Sequence, residues 1–213
     1  MKLQLNNYQI KLLAAIFMVI DHVGLVFFPQ VFVFRVIGRL SFPLFAWLLA
    51  QGEKYTRSFP RYLKRLVLLG ILSQPLHTLT LSGTRFNILF TLSLGLMTLR
   101  LGRKWRDYKY LIWILGSVSA ELLRVEYGAY GVAAMCLLSL FTPNIHWWLV
   151  WIGLHLVDAI ALSNIFQLPA VVTPVFLHFI NHQKGAKARW FYSFYPLHLL
   201  ILFLIFRLKE AWF

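Results

Sequence analysis

Long apolar runs joined by connections of only a few residues leave this chain one way to fold. Its segments must satisfy their own backbone groups as helices in an apolar surrounding. Nine such runs can be read: 10–28, 32–51, 62–81, 86–101, 108–123, 129–142, 145–162, 165–180 and 190–207. A spanning helix needs about 20 mostly apolar residues. The fourth, fifth, sixth and eighth runs are short, so one of them is expected to be re-entrant or broken, and eight to ten spans are allowed. Pro43, Pro75, Pro174 and Pro196 lie inside runs, where a bundle tolerates them and they kink helices. The expected fold is all-α: a polytopic integral membrane helical bundle of about nine transmembrane helices. Residues 1–213 are expected to form a single transmembrane domain, with no room for a soluble domain and no internal repeat.

Composition excludes the other classes. Of the 213 residues, 60% are hydrophobic and 13% charged, against roughly 25% charged in soluble domains. A water-soluble globule of this size has nowhere to put that apolar surface, and a disordered chain would be far more polar. Lys plus Arg number 21 against 7 acids, a net charge of +14. In a soluble protein that would point to nucleic acid. Here the cations sit between apolar runs, so membrane topology and anionic lipid headgroups explain them better. Lys2, Lys11, the clusters within 54–65 and 100–109, and Lys184, Lys187 and Arg189 fall on one side if the N-terminus is cytoplasmic. Nine spans then leave the C-terminus outside. Residues 1–9 lack a cleavage-site pattern, and the first run holds Asp21 and His22, so it is expected to be a retained span. The lone Cys136 forms no intrachain disulfide and supports neither a cysteine zinc site nor an iron–sulfur cluster. Trp105, Trp147, Trp148, Trp190 and Trp212 read as interfacial anchors.

The polar residues inside the runs carry the functional signal. Each ionisable group at mid-bilayer costs about 2.5–3.5 kcal/mol and persists when it pairs, lines a cavity or reacts. With the N-terminus inside, Asp21, His22, Arg35, Arg39, Gln74, His77, Asn87, Glu121, Arg124, Glu126, Tyr127, His155, Asp158 and His198 fall in the outer half or near mid-depth. That bias suggests a water-filled cavity opening outward. Lys11 and His22 form the sharpest pair. Eleven helical steps end about 20° past three full turns, so both project from one face, about 16 Å apart along the axis. This is roughly the reach of a pantetheine arm from diphosphate to thioester. A cation at the cytoplasmic mouth and an imidazole at mid-membrane suit coenzyme A and its acyl group. The plainer reading is an interface lysine and a structural histidine.

Several stretches also resemble a known family. Lys11 followed by "IDHVG" (residues 20–24), "GRLSFPLFAWLL" (38–49), "NILFTL" (87–92), "YGVAA" (130–134) and "FYSFYPLHLL" (191–200) are similar to the TraX family. These are the membrane acetylases of conjugative pilin, distant relatives of the type-3 membrane acyltransferases. Lysine, ten residues and histidine resemble the Arg/Lys-x10-His signature of that superfamily. The resemblance implies a multi-pass protein of the bacterial inner membrane, with acetyl-CoA as co-substrate, His22 as catalytic residue and a peptide acceptor such as a pilin N-terminus. The superfamily's cytoplasmic Arg-x-x-Arg motif for coenzyme A is matched loosely by Arg61, Lys64 and Arg65, which depart from it.

Roles follow for each candidate. His22 serves as general base, for which an imidazole needs no tuning. Asp21, about 100° around the helix from His22, turns to Arg35 or Arg39 and anchors the second run. Arg39 balances Asp21 or a substrate carboxylate, or stabilises an oxyanion, and Arg35 snorkels or recognises the acceptor. His198 contacts substrate, positions His22 or forms an interhelical hydrogen bond. His77 lines the cavity, and Asn87 lines it or caps a helix. Lys11, Arg61, Lys64 and Arg65 hold coenzyme A phosphates. Glu121 and Arg124 are spaced to pair with each other. His155 and Asp158 lack a third ligand, so no metal is expected. Two other functions remain open: a sugar O-acetyltransferase of the same architecture with a glycan acceptor, and a transporter or proton-linked carrier whose Asp, His and Arg form a relay. Membrane lipid, and not nucleic acid, is the remaining partner.

Overall fold

The computed structural model describes residues 4–81, 83–161, 164–188 and 190–212, with side chains through residue 209. Lys2, Arg189 and the side chain of Trp212 lie outside the described residues. Among these the protein is all-helical, with two isolated bridges and no sheet. The α-helices are α1 (Asn7–Phe27), α2 (Phe32–Gly38), α3 (Ser41–Tyr55), α4 (Phe59–Leu81), α5 (Ile88–Lys104), α6 (Lys109–Leu122), α7 (Gly128–Leu138), α8 (Ile145–Ala161) and α9 (Phe191–Trp212). Two 3-10 segments, Arg106–Tyr108 and Ile165–Phe179, complete the order. Among the described residues three segments are long and apolar enough to cross a membrane: Asn7–Phe27, Phe32–Tyr55 and Phe191–Lys209.

Local chemistry accounts for the boundaries. α1 opens with a capping box. The Asn6 side chain accepts from the Gln9 N–H at 3.0 Å, and the Gln9 side chain accepts from the Asn6 N–H at 2.9 Å. Its 21 residues then rise about 32 Å, close to the hydrocarbon thickness. The second apolar run is two helices rather than one, parted at Arg39 and Leu40. Pro43 is the reason: it has no N–H to give the Arg39 carbonyl, and its ring would clash there in a continuous helix. In the first turn of α3 the same proline is harmless. The eighth run, one of those expected to be irregular, winds as a 3-10 helix containing Pro169 and Pro174. At about 2.0 Å per residue its 15 residues extend about 30 Å, a length an α-helix of that size does not reach.

The chain divides into two compact units: Met1–Phe45, Leu76–Ser82 and His155–Phe213 form one, and Ala46–Pro75 with Gly83–Leu154 form the other. In the first unit α1 packs on α2 and α9, and α2 packs on the 3-10 segment Ile165–Phe179. Ser41 Oγ donates to the Ala14 carbonyl at 2.8 Å, tying the start of α3 to α1. In the second unit α5, α6 and α7 pack on one another. Gly116 lets α6 close on α5, since a Cβ there would stand 2.2 Å from Thr98 Oγ1. Trp147 is not an interfacial anchor. It is buried, stacks on Trp151 with centroids 5.4 Å apart, and donates its indole N–H to the Leu137 carbonyl at 3.0 Å.

Candidate functional site

The first unit gathers Lys11, Asp21, His22, Arg35, Arg39, His77 and His198. Asp21 and His22 are adjacent on α1 and serve different partners. Asp21 turns to the α2–α3 joint. Its Oδ2 accepts from Arg35 Nη1 at 2.9 Å and from Arg39 Nη2 at 2.5 Å, so both arginines take part. Asp21 and Arg39 are only 6% and 7% exposed, which makes the second pair a buried one. Gly38 permits the approach, because a Cβ there would lie 2.2 Å from the Asp21 Cβ. The break that Pro43 imposes puts Arg39 at the joint, and the Asp21 carboxylate then pins that joint to α1.

His22 turns to α9. Its Nδ1 lies 2.9 Å from His198 Nε2, and the two rings are nearly parallel, 13° apart. His198 Nδ1 lies 3.0 Å from the Phe194 carbonyl oxygen. A carbonyl only accepts, so the hydrogen is on His198 Nδ1. In a neutral imidazole the other nitrogen is then bare. His198 Nε2 therefore accepts, and His22 Nδ1 donates to it. This leaves the lone pair of His22 on Nε2, free to take a proton. Buried His77 belongs to the same unit.

The same two helices join His22 to Lys11 through a column of rings. The half-buried Lys11 ammonium lies 5.3 Å from the Phe191 centroid. Phe191 stacks on Phe194 at 5.7 Å, Phe194 on His198 at 5.2 Å, and His198 on His22 at 5.1 Å. Among the described residues no carboxylate pairs with Lys11.

The second unit holds the other candidates. Arg61, Lys64 and Arg65 are exposed on the first turns of α4. Asn87 caps α5 by accepting from the Leu89 N–H, and its Nδ2 donates to the Gly70 carbonyl at 2.8 Å and to Gln74 Oε1 at 2.9 Å. Its side chain thus clasps α4 to α5. Glu121 pairs with Arg85 at 3.1 Å rather than with Arg124. His155 and Asp158 are buried on α8 in the first unit. No cluster of three or more His, Cys, Asp or Glu able to hold a metal forms among the described residues.

Glu53 emerges from the structure alone. It is 1% exposed, and its carboxylate faces Arg100 at 3.5 Å and Arg103 at 3.0 Å. Arg100, Arg103 and Arg106 also stand at two overlapping Arg-x-x-Arg spacings.

These features define an all-helical, strongly apolar protein with a histidine pair and an arginine-bound aspartate set on its first helix. The profile described as "TraX protein" matches residues 6–206. The chain belongs to the TraX family. A probable fimbrial assembly protein, FimC of serogroup H1, from Dichelobacter nodosus is 29% identical over 92% of this chain and 94% of its own. An uncharacterized protein of Rickettsia prowazekii (strain Madrid E) is 32% identical over 42% of this chain and 36% of its own. No solved structure matches.

Proposed function

We propose that the protein is an integral-membrane acetyltransferase of the bacterial inner membrane, built as a single bundle with a cytoplasmic N-terminus. It moves an acetyl group from cytoplasmic acetyl-CoA to an amine on the outer side, such as the N-terminus of a pilus subunit. The observation that carries this reading is the directed histidine pair, which leaves the bare Nε2 of His22 on a helix that also bears Lys11 eleven residues earlier. The name of the Dichelobacter relative, a probable fimbrial assembly protein, supports a pilus subunit as acceptor.

Lys11 fits a coenzyme A phosphate because it is a half-buried cation with an aromatic ring, and not an acid, against it. Arg61, Lys64 and Arg65 offer further charge for the phosphates. When bound, acetyl-CoA supplies an activated acetyl carbonyl and a thiol leaving group. His22 Nε2 takes the proton of the attacking amine as the C–N bond forms. His22 gives that proton to the sulfur as the C–S bond breaks. His198 fixes the reactive tautomer of His22 and shares its charge while the proton is held. Arg39 and Arg35, locked by Asp21, keep a positive field beside the ring where oxyanion charge develops.

Thiol release from acetyl-CoA by the purified full chain, with a panel of acceptors, tests the reading. Release driven by a peptide amine is expected. Release driven by a glycan would favour a sugar O-acetyltransferase. Solute flux in proteoliposomes with no thiol release would favour a carrier.

A further inference from the structure

A second polar feature belongs to the second unit, where α5, α6 and α7 meet. A pocket of about 270 Å³ opens there between the end of α5, the start of α6 and the residues just after α7. Arg103, Arg106 and Lys109 line it, and no carboxylate does. Leu99, Trp113 and Leu140 form its apolar side. Gly102 lets the indole seal that side, because a Cβ there would already stand 3.0 Å from Trp113 Nε1.

The cations are prepared differently. Arg103 is held toward buried Glu53 at 3.0 Å, which fixes its position and offsets part of its charge. Arg106 is exposed and makes no ion pair among the described residues. Lys109 rests over the Trp113 ring at 4.6 Å and begins α6. Two cations thus remain uncompensated over an apolar floor. Trp105, Tyr108 and Tyr110 beside them are exposed, as aromatic residues at a membrane–water boundary are.

We infer that this pocket binds the phosphate of an anionic phospholipid headgroup. Basic pockets between helices at the cytoplasmic face hold such headgroups. The volume is below the roughly 300–1,000 Å³ of sites that engulf a whole small molecule, so it suits a phosphodiester better than an entire nucleotide-bearing co-substrate. The inference rests on the membrane reading and not on acetyl transfer.

Native mass spectrometry of the full chain in neutral detergent tests it, with phosphatidylglycerol and phosphatidylcholine supplied in equal amounts. The protein is expected to retain phosphatidylglycerol about tenfold or more over phosphatidylcholine, and an Arg106→Gln/Lys109→Gln variant to lose that preference. A thermal melt establishes that the variant is folded. Should it not fold, competition on the unaltered protein decides: inorganic phosphate and adenosine 3′,5′-bisphosphate are expected to leave the bound lipid in place. Equal retention of both lipids, an unchanged preference in the folded variant, or displacement by the bisphosphate would each overturn the assignment, the last by giving the pocket to nucleotide phosphates. A chain that stays monodisperse without detergent removes the membrane reading, and this inference with it.

Discussion

His22 and His198 share one hydrogen, and its direction decides which nitrogen of His22 is left bare. The Phe194 carbonyl sets that direction from the far end of the relay. His198→Ala removes the acceptor of the His22 Nδ1 hydrogen, so kcat is expected to fall while KM for acetyl-CoA holds. His198→Gln supplies an amide oxygen that accepts the same hydrogen, and part of the rate is expected to return. Steady-state kinetics of the two variants separate positioning from packing, because a merely structural histidine would not be rescued by glutamine. Asp21 and His22 were legible in sequence, since ionisable groups inside an apolar run stand out at once. The tautomer was not, because it depends on the packing of α1 against α9 that brings His198 Nε2 to His22, and on which His198 nitrogen meets the Phe194 carbonyl of its own helix. Glu53 was illegible for a similar reason. An acid at the edge of a basic loop reads as a solvated charge until α5 places Arg100 and Arg103 against it.

Helix joints transmit these contacts. The joint between α2 and α3 puts Arg39 beside Asp21, and Gly38 makes the room. Gly38→Ala must push the Asp21 side chain aside. Overpacking costs about 1–3 kcal/mol, and leaving a buried partner unpaired costs about 3–5 kcal/mol. A clear drop in melting temperature in detergent, with loss of acetyl transfer, is expected. Gly153→Ala is the contrast: a Cβ there meets nothing within 4 Å, so the melting temperature should hold or rise, since alanine favours a helix by about 0.5–1 kcal/mol. Asp21→Asn should destabilise the fold, and Asp21→Asn with Arg39→Gln should recover part of the loss, because the double variant leaves fewer unpaired charges. Most helices coincide with the apolar runs, which periodicity-free hydrophobicity marks well. The second run divides because Pro43 acts four residues back along the chain, on the Arg39 carbonyl. The 3-10 winding of Ile165–Phe179 was foreshadowed only as an irregularity in one of four short runs, since composition does not separate a 3-10 helix from a short α-helix.

The whole molecule requires a fixed orientation, because donor and acceptor are proposed to lie on opposite sides of one membrane. The basic clusters are proposed to set it. In a Cys136→Ala background, a cysteine at Arg57 is expected to resist a membrane-impermeant maleimide in intact cells and to react in inverted vesicles, and a cysteine at Leu123 to do the reverse. The opposite pattern would turn the protein over and leave Lys11 on the wrong side for cytoplasmic coenzyme A. Everything in the proposed chemistry converges on one nitrogen of His22. The most direct measurement is acceptor-dependent thiol release from acetyl-CoA by the purified protein beside its His22→Ala variant, in the same lipid and with matched thermal unfolding. A fall of about 10²- to 10⁴-fold in the variant is expected for the loss of a general base. A folded alanine variant that releases thiol at the unaltered rate would contradict it.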